Sequence, residues 1–404
     1  MSKLLEQINT ESRIGSIKDL VFPVSNTYNF SNKNKVVFVN TSDIHEGKFL
    51  HNNYLDTKKL PGQAKKIIEY GDIVFSEIRP KNRHFALVDF DSRDYVVSTK
   101  LIVLKVKKNI DPRFAYLVLT ADQNLKEFQN IAESRSGTFP QITFEAIADY
   151  EVNIPDIPTQ KKIAEILSAY DAKIENNNKI IKNLEATAQA IFNEWFINFR
   201  FPGHEKVKMV DSEMGEIPEG WEVKNIKDIF TVILGGTPSR EKPEYWGGNI
   251  SWINSGEVNK LRILEATEHI TELGLDKSNA RLIKSGATVL AITGATLGQV
   301  SRLEIDSTAN QSVVGIFDEN NILNEYLYLY ISNNILDLIS GASGGAQQHI
   351  NKQMVENYKI MIPSEIIIEK FNRTILSTFF LTKELFKENI SLKSQRDQLL
   401  AKLI

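Results

Sequence analysis

The most regular pattern of apolar and polar positions in this 404-residue chain begins after Pro155. Ile163, Leu167, Tyr170, Ile174, Asn177, Ile181, Leu184, Ala188, Ile191 and Trp195 follow one another in steps that alternate between four and three. This is a heptad seam, and at a rise of about 1.5 Å per residue it predicts one uninterrupted helix about 50 Å long. Counting likewise from Pro363 gives Phe371, Ile375, Thr378, Thr382, Leu385, Asn389, Leu392, Arg396, Leu399 and Leu403, a poorer stripe helped by Phe379, Phe386, Ile390 and Leu400. Neither helix can bury its stripe alone, so the two are expected to pair. Elsewhere the pattern reads as short β-runs between turn residues: Val36 to Asn40, Asp72 to Phe75, Tyr95 to Val106, then Ile250 to Asn254, Thr288 to Thr293 and Gln311 to Phe317. Helical patches, "PRFAYLVLTADQNLKEF" and "NEYLYLYISNNILDLI", follow the last run of each set.

The two sets are copies. "SGTFPQITFEAIADYEVNIP" (Ser136 to Pro155) lies over "GGAQQHINKQMVENYKIMIP" (Gly344 to Pro363) without a gap, matching Gly137 with Gly345, Ile142 with Ile350, and Tyr150 with Tyr358. "SIKDL" (Ser16 to Leu20) echoes "NIKDI" (Asn225 to Ile229), "VFVNTSDI" echoes "SWINSGEV", and "GDIVFS" echoes "GATVLA", all in the same order. Two tandem copies related by a pseudo-twofold axis would set their long helices antiparallel. With the helix ends in register, Asn177 then faces Asn389, a polar pair of the kind that fixes coiled-coil register. The alternative is two unrelated asparagines in an imperfect seam. The stretch from Asn198 to Trp221 is polar, aperiodic and rich in glycine and proline, as a linker between copies should be.

Composition narrows the chemistry. No run approaches the length of a membrane span, and "MSKLLEQINTESR" lacks the pattern of a signal peptide, so a cytoplasmic protein is expected. Zero cysteines exclude disulfides, thiolate nucleophiles and cysteine-based zinc sites, and the six histidines fall at no metal-ligand spacing. No phosphate-binding loop, dinucleotide fingerprint, H-E-x-x-H or G-x-S-x-G is present. Binding is therefore favoured over catalysis, with no catalytic residue and no metal expected. The net charge of −3 argues against coating nucleic acid by bulk electrostatics but leaves room for a local basic face.

The groups suited to reading a polyanion sit in loops. "LGGTPSREKPEYWGGNISW" (Leu234 to Trp252) has glycines and prolines that should forbid regular structure, and offers Thr237, Ser239, Arg240, Lys242, Tyr245 and Trp246. "SEIRPKNRH" projects Arg79, Lys81 and Arg83 after a predicted strand. The repeated motif enters a helical segment through glycine, where unpaired amides suit phosphate. Its frame recurs while its tips differ: Arg135, Ser136, Thr138 and Gln141 in one copy, Ser343, Gln347 and Gln348 in the other. Glutamine can bond adenine in two places and arginine guanine. The bland readings are a connecting loop whose aromatics cap the core, and a solvated basic run.

"IPTQKKIAEILSAYDAKIENNNKIIKNLEATAQAIFNEWF" (Ile157 to Phe196) and "GEIPEGWEVKNIKDI" (Gly215 to Ile229) resemble the specificity subunits of type I restriction-modification systems. The resemblance covers the whole chain. It implies an α+β protein with two similar mixed α/β target recognition domains in pseudo-twofold symmetry, separated by two long helices forming an antiparallel coiled coil. The expected boundaries are 1–155 for the first recognition domain, 156–200 for the first spacer helix, 201–362 for the linker and second recognition domain, and 363–404 for the second spacer helix. The helix seam would comprise Ile163, Leu167, Ile174, Asn177, Ile181, Leu184 and Ile191 on one side, with Leu385, Asn389, Leu392 and Leu399 on the other. A further implication is a non-catalytic subunit that reads a bipartite, asymmetric site in double-stranded DNA. Its partners would be two methyltransferase (M) subunits, which carry S-adenosylmethionine, and restriction (R) motor-nuclease subunits; no cofactor would sit on this chain. Two departures stand out: the first copy enters with "ESRIGSIKDL", without a counterpart of Trp221, and the second helix begins "IPSEIIIEKF" rather than with a Gln-Lys pair like Gln160 and Lys161.

Overall fold

The computed structural model describes residues 12–31, 33–135, 138–341 and 350–403. The chain divides into two compact units, Met1–Ile174 with Ser391–Ile404, and Glu175–Ile390.

In the first unit, Val21–Val24, Leu101–Val106, Ile73–Ser76 and Phe85–Leu87 form one antiparallel sheet in that spatial order. A second sheet runs Tyr54–Asp56, Lys35–Val39, Tyr95–Ser98, Ala64–Ile67, with the central pair parallel. The β-run expected as one strand from Tyr95 to Val106 is thus two strands in two different sheets. A register shift at Ser98 and a turn at Thr99 and Lys100 separate them. Ser98, Thr99 and Lys100 are the polar residues of this corner, and the apolar residues on either side, Val96, Val97 and Leu101 to Leu104, are buried. The helical patch from Pro112 likewise breaks, into Pro112–Thr120 and Asp122–Arg135, because Ala121 adopts ψ 136. Asp111 starts the first of these, its carboxylate accepting the Arg113 and Phe114 amides at 3.0 Å, with Pro112 at the first helical position. Phe75, Phe85, Phe114 and Phe128 fill the core, together with Ile163, Leu167 and Leu403 from the ends of the long helices.

The second unit repeats the theme. Its five-stranded sheet runs Thr231–Leu234, Val313–Phe317, Thr288–Ala291, Val300–Leu303, Arg262–Ile263, and a three-stranded sheet runs Glu268–Ile270, Trp246–Ile253, Thr308–Ala309. Helix Asn324–Ser340 packs its tyrosines into a core with Phe192, Phe196, Trp221 and Phe371.

The duplication is visible bond by bond. Arg13–Ser16 pairs antiparallel with Glu151–Ile154, and Glu222–Asn225 pairs the same way with Lys359–Ile362, so the closing Ile-Pro of each motif ends an equivalent strand. Ser16 with Asp19 and Asn225 with Asp228 form matching capping boxes on one-turn helices. Just beyond, the Ile17 amide donates to the Tyr150 carbonyl at 3.1 Å, and the Ile226 amide to the Tyr358 carbonyl at 3.0 Å. Asn40 with Asp43 and Asn254 with Glu257 form a second matched pair of boxes.

The long helices are Ile157–Phe192, extended by a π-turn over Asn193–Ile197, and Glu365–Leu403. Ile163, Leu167, Ile174, Asn177 and Ile181 are buried on the first, and Leu385 and Asn389 on the second, while Leu184, Leu392 and Leu399 are half-buried. Within the second unit, Asn177 Nδ2 donates to Asn389 Oδ1 at 3.0 Å and Phe196 packs on Phe371 at 4.7 Å between ring centroids. Residue numbers thus run oppositely along the pair, making it antiparallel. Within the first unit, Arg396 Nη1 meets Asp171 Oδ1 at 2.5 Å, and Leu403 shares a core with Ile163 and Leu167, in the same sense. The seam does shift at its end. Ile191 and Trp195 are half-buried, and Phe192 and Phe196, one position on, are fully buried. A 3.6-residue turn drifts against a 3.5-residue repeat, and the π-turn completes the rotation into the core.

Candidate nucleic-acid interface

In the first unit the basic tip follows strand Ile73–Ser76. Arg79 and Arg83 have φ of 44° and 57° and flank a single turn of 3-10 helix, Pro80–Asn82. That turn packs on helix Asp122–Arg135: the Lys81 amide donates to Gln129 Oε1 at 3.2 Å, and Lys81 Nζ lies 3.7 Å from Glu133. Arg83 pairs with Asp122 and, at 3.4 Å, with Glu46. Lys81 and Arg83 therefore belong to ion pairs with their own domain. Arg79 does not, and neither does Arg135 at the exposed end of the helix, among the described residues.

The same tip meets the repeated motif. Ile78 bridges to Gln141, the Arg79 amide donates to the Pro140 carbonyl at 3.2 Å, and the Ile142 amide donates to the Glu77 carbonyl at 2.8 Å. Two stretches that are separate in sequence thus form one surface, carrying Arg79, exposed Thr138 and half-buried Gln141. Ser136, Ser343, Gln347 and Gln348 lie outside the described residues. The expected entry into a helix through glycine is not what the flanking residues do. Phe144–Ile147 and Lys352–Asn357 begin after Thr143 and Asn351, and Asn351 Oδ1 already accepts the Met354 amide at 2.9 Å. The second of these short helices is thus capped by Asn351, while Thr143 makes no side-chain cap on the first.

The loop from Leu234 is more ordered than its glycines and prolines suggested. Trp246–Ile253 is a strand, and Trp246 and Ile250 both oppose Ile270 through an irregularity at Gly247, whose φ is 79°. Gly235 is required by close approach, since a Cβ there would lie 2.1 Å from the Asn310 carbonyl oxygen. The Arg240 guanidinium stacks 3.5 Å from the Trp246 ring centroid, and its Nη2 donates to Glu268 Oε1 at 3.0 Å. This hydrogen bond holds the Glu268 carboxyl below the usual glutamate range. Lys242 Nζ donates to Tyr245 Oη at 3.0 Å, and Tyr245 is buried. The Trp246 indole donates to the Ser239 carbonyl at 3.2 Å, and Thr237 Oγ1 to Gln311 Oε1 at 2.5 Å. Tyr245 is consequently a core residue, and Arg240 is neutralised and braced. Of this set, exposed Thr237, Ser239 and Lys242 carry no ion pair among the described residues.

Sequence reasoning passed over another set of cations. Lys58, Lys59 and Lys65 are exposed and without ion-pair partners among the described residues, whereas Lys66 turns inward to the Thr99 and Leu101 carbonyls at 3.1 and 2.8 Å. The signal was the pair of lysine doublets in "TKKLPGQAKK". The geometry offers loops with free cations and hydroxyls, suited to phosphate oxygens and base edges.

The type I restriction modification DNA specificity domain matches residues 11–186 and again 218–393. The chain is 33% identical to the type I restriction enzyme HindI specificity subunit of Haemophilus influenzae, over 96% of this chain and 98% of that one. It is 28% identical to the MjaIX specificity subunit of Methanocaldococcus jannaschii, over 67% of this chain and 63% of that one. The solved type I restriction-modification S subunit from M. genitalium has a similar fold, with a TM-score of 0.57 at 16% identity over 98% of this chain and 97% of that one. Two tandem specificity domains, each with its own strand frame and most of one long helix, place this chain in the family of type I restriction-modification specificity subunits.

Proposed function

We propose that this subunit reads a bipartite, asymmetric site in double-stranded DNA, one half through each recognition domain, and that the paired helices set the gap between the halves. What carries this reading is the duplication itself. The capping boxes and closing strands recur, while the loops set in that frame carry different side chains. Reading two different half-sites calls for this combination of constant frame and variable tip.

In the first domain, Arg79, Arg135, Thr138 and Gln141 would face one half-site, with Lys58, Lys59 and Lys65 reaching phosphates. In the second, Thr237, Ser239 and Lys242 would contribute. The chain would bind no cofactor. Two M subunits carrying S-adenosylmethionine would methylate adenine, and R subunits would join for cleavage. Those partners would supply much of the phosphate contact, which suits a chain of net charge −3. The test is to reconstitute the chain with its M subunits, treat genomic DNA and map methylated adenines. A motif split by unread positions supports the proposal, and a continuous motif overturns it.

A further inference from the structure

Six charged side chains meet inside the second unit, drawn from four sources. Glu185 comes from the first long helix and Lys383 from the second. Arg262, Arg302 and Glu304 come from the five-stranded sheet and its edge, and Glu325 from helix Asn324–Ser340. Arg262 Nη2 lies 2.6 Å from Glu185 Oε1, and its Nη1 lies 3.0 Å from Glu304 Oε1. Arg302 reaches the same Glu304 oxygen at 2.9 Å and Glu325 at 2.5 Å. Lys383 Nζ closes the set at 3.1 Å from Glu304 Oε2. Phe379 of the second helix lies 4.5 Å from the Arg262 guanidinium and 5.4 Å from that of Arg302.

The cluster is buried: Arg262 is 2% exposed, and Arg302 and Glu304 are each 7% exposed. Burial pushes the Glu304 carboxyl up, and Arg302 and Arg262 more than offset it, holding the group below the ordinary range. Three cations balance three carboxylates, with Glu304 shared by all three cations. A buried ionic group of this kind is a weak source of net stability compared with apolar packing of the same volume. What it provides is direction, because charge-assisted hydrogen bonds constrain angles that apolar contacts leave soft. In the first unit Arg396 of the second helix pairs with Asp171 of the first.

We propose that the Glu304-centred cluster is a positioning joint that fixes the second recognition domain on both long helices and so sets how strictly the gap between half-sites is measured. This rests on the two-half-site reading above. Arg262, Arg302 and Glu304 touch no DNA in this account and act through the angle at which the domain is held.

The experiment uses the chain reconstituted with its M subunits and S-adenosylmethionine. Its substrates are synthetic duplexes carrying the mapped half-sites at the native gap and at gaps one base pair shorter and longer. Wild type should methylate the native gap several-fold better than the others. Glu304→Gln keeps the side-chain shape and removes the shared charge, and Lys383→Met cuts the joint at its partly exposed edge. Both should narrow the gap preference several-fold while the bases read in each half stay the same, and Lys383→Arg should restore it. Should Glu304→Gln fail to assemble, the Lys383 pair decides alone. Assembled variants that keep the wild-type gap preference overturn the joint, as do variants that lose base preference in the second half instead. A continuous wild-type motif overturns the two-reader proposal first, in an arm that needs no variant.

Discussion

Arg79 and Arg240 show why residue type alone does not mark a nucleic-acid contact. Both are arginines in loops beside glycine, proline or aromatic residues, and both attract notice in the sequence. Arg240 is held between Glu268 and the Trp246 ring, so meeting a phosphate would first require breaking a bond to its own domain. Arg79 has no such partner among the described residues, and its left-handed backbone is fixed by the adjoining Pro80 turn and the Pro140 carbonyl. Arg79→Ala should therefore weaken DNA binding by the assembled complex and reduce the slope of log affinity against log salt by about one. Arg240→Ala should leave that slope unchanged and lower the stability of the free chain by about 0.5–2 kcal/mol through the lost stacking and exposed ion pair. Salt titration of binding and urea denaturation together distinguish the two. Equal loss of slope in both variants would show that Arg240 leaves Glu268 when DNA is present.

At the scale of elements, the helix pair was the most legible part of the molecule, because heptad spacing is a local property that burial must obey. Asn177 and Asn389 could be placed opposite one another from the repeat offset, and the structure joins them directly. Asn177 Nδ2 also donates to Glu388 at 2.7 Å, and Asn389 Nδ2 to Asn178 at 2.9 Å, while Asn177 Oδ1 is buried without a partner. An incompletely satisfied polar pair costs stability and specifies register. Asn177→Ala should cost about 1–3 kcal/mol by orphaning its partner's buried oxygen. Replacing both asparagines by leucine should be close to neutral or stabilising in urea, yet loosen the register. In this cysteine-free chain, an engineered pair, Asp171→Cys with Arg396→Cys, reports register by cross-linking yield, which should fall in the double-leucine background. An undiminished yield would assign register to the aromatic ends of the helices instead. What stayed hidden has equally physical reasons. The corner at Ser98, Thr99 and Lys100 carries neither glycine nor proline, so its polar triplet reads as part of a continuing strand. The shift from Ile191 and Trp195 to Phe192 and Phe196 arises from helical drift into a tertiary core. Tyr245 looked available because it lies in a stretch rich in glycine and proline, and only the fold buries it. The ionic joint draws on positions from Glu185 to Lys383, a separation no local pattern spans.

For the whole molecule, duplication makes recognition divisible. The first domain's closing strand, Glu151–Ile154, pairs with its own opening strand, Arg13–Ser16, just before the long helix begins at Ile157. The segment from 14 to 155 therefore starts and finishes on neighbouring strands, and a homologous domain carrying the same frame can be exchanged with both ends already matched. Ile17 and Leu20 pack with Ile163 and Leu167 of the helix, so a donor must keep apolar residues at the corresponding frame positions. Such an exchange should alter the bases methylated in one half of the site and leave the other half and the gap as they were. The second domain brings its own frame, Glu222–Asn225 with Lys359–Ile362, and its own joint to the helices at Glu304. Mapping methylated adenines in genomic DNA treated with the exchanged complex reads all three quantities at once. A change in both halves would mean that the two readers are coupled through the helices. In that case the Glu304 joint would transmit specificity as well as hold position, and the exchange repeated in the Lys383→Met background should return the second half to its original bases.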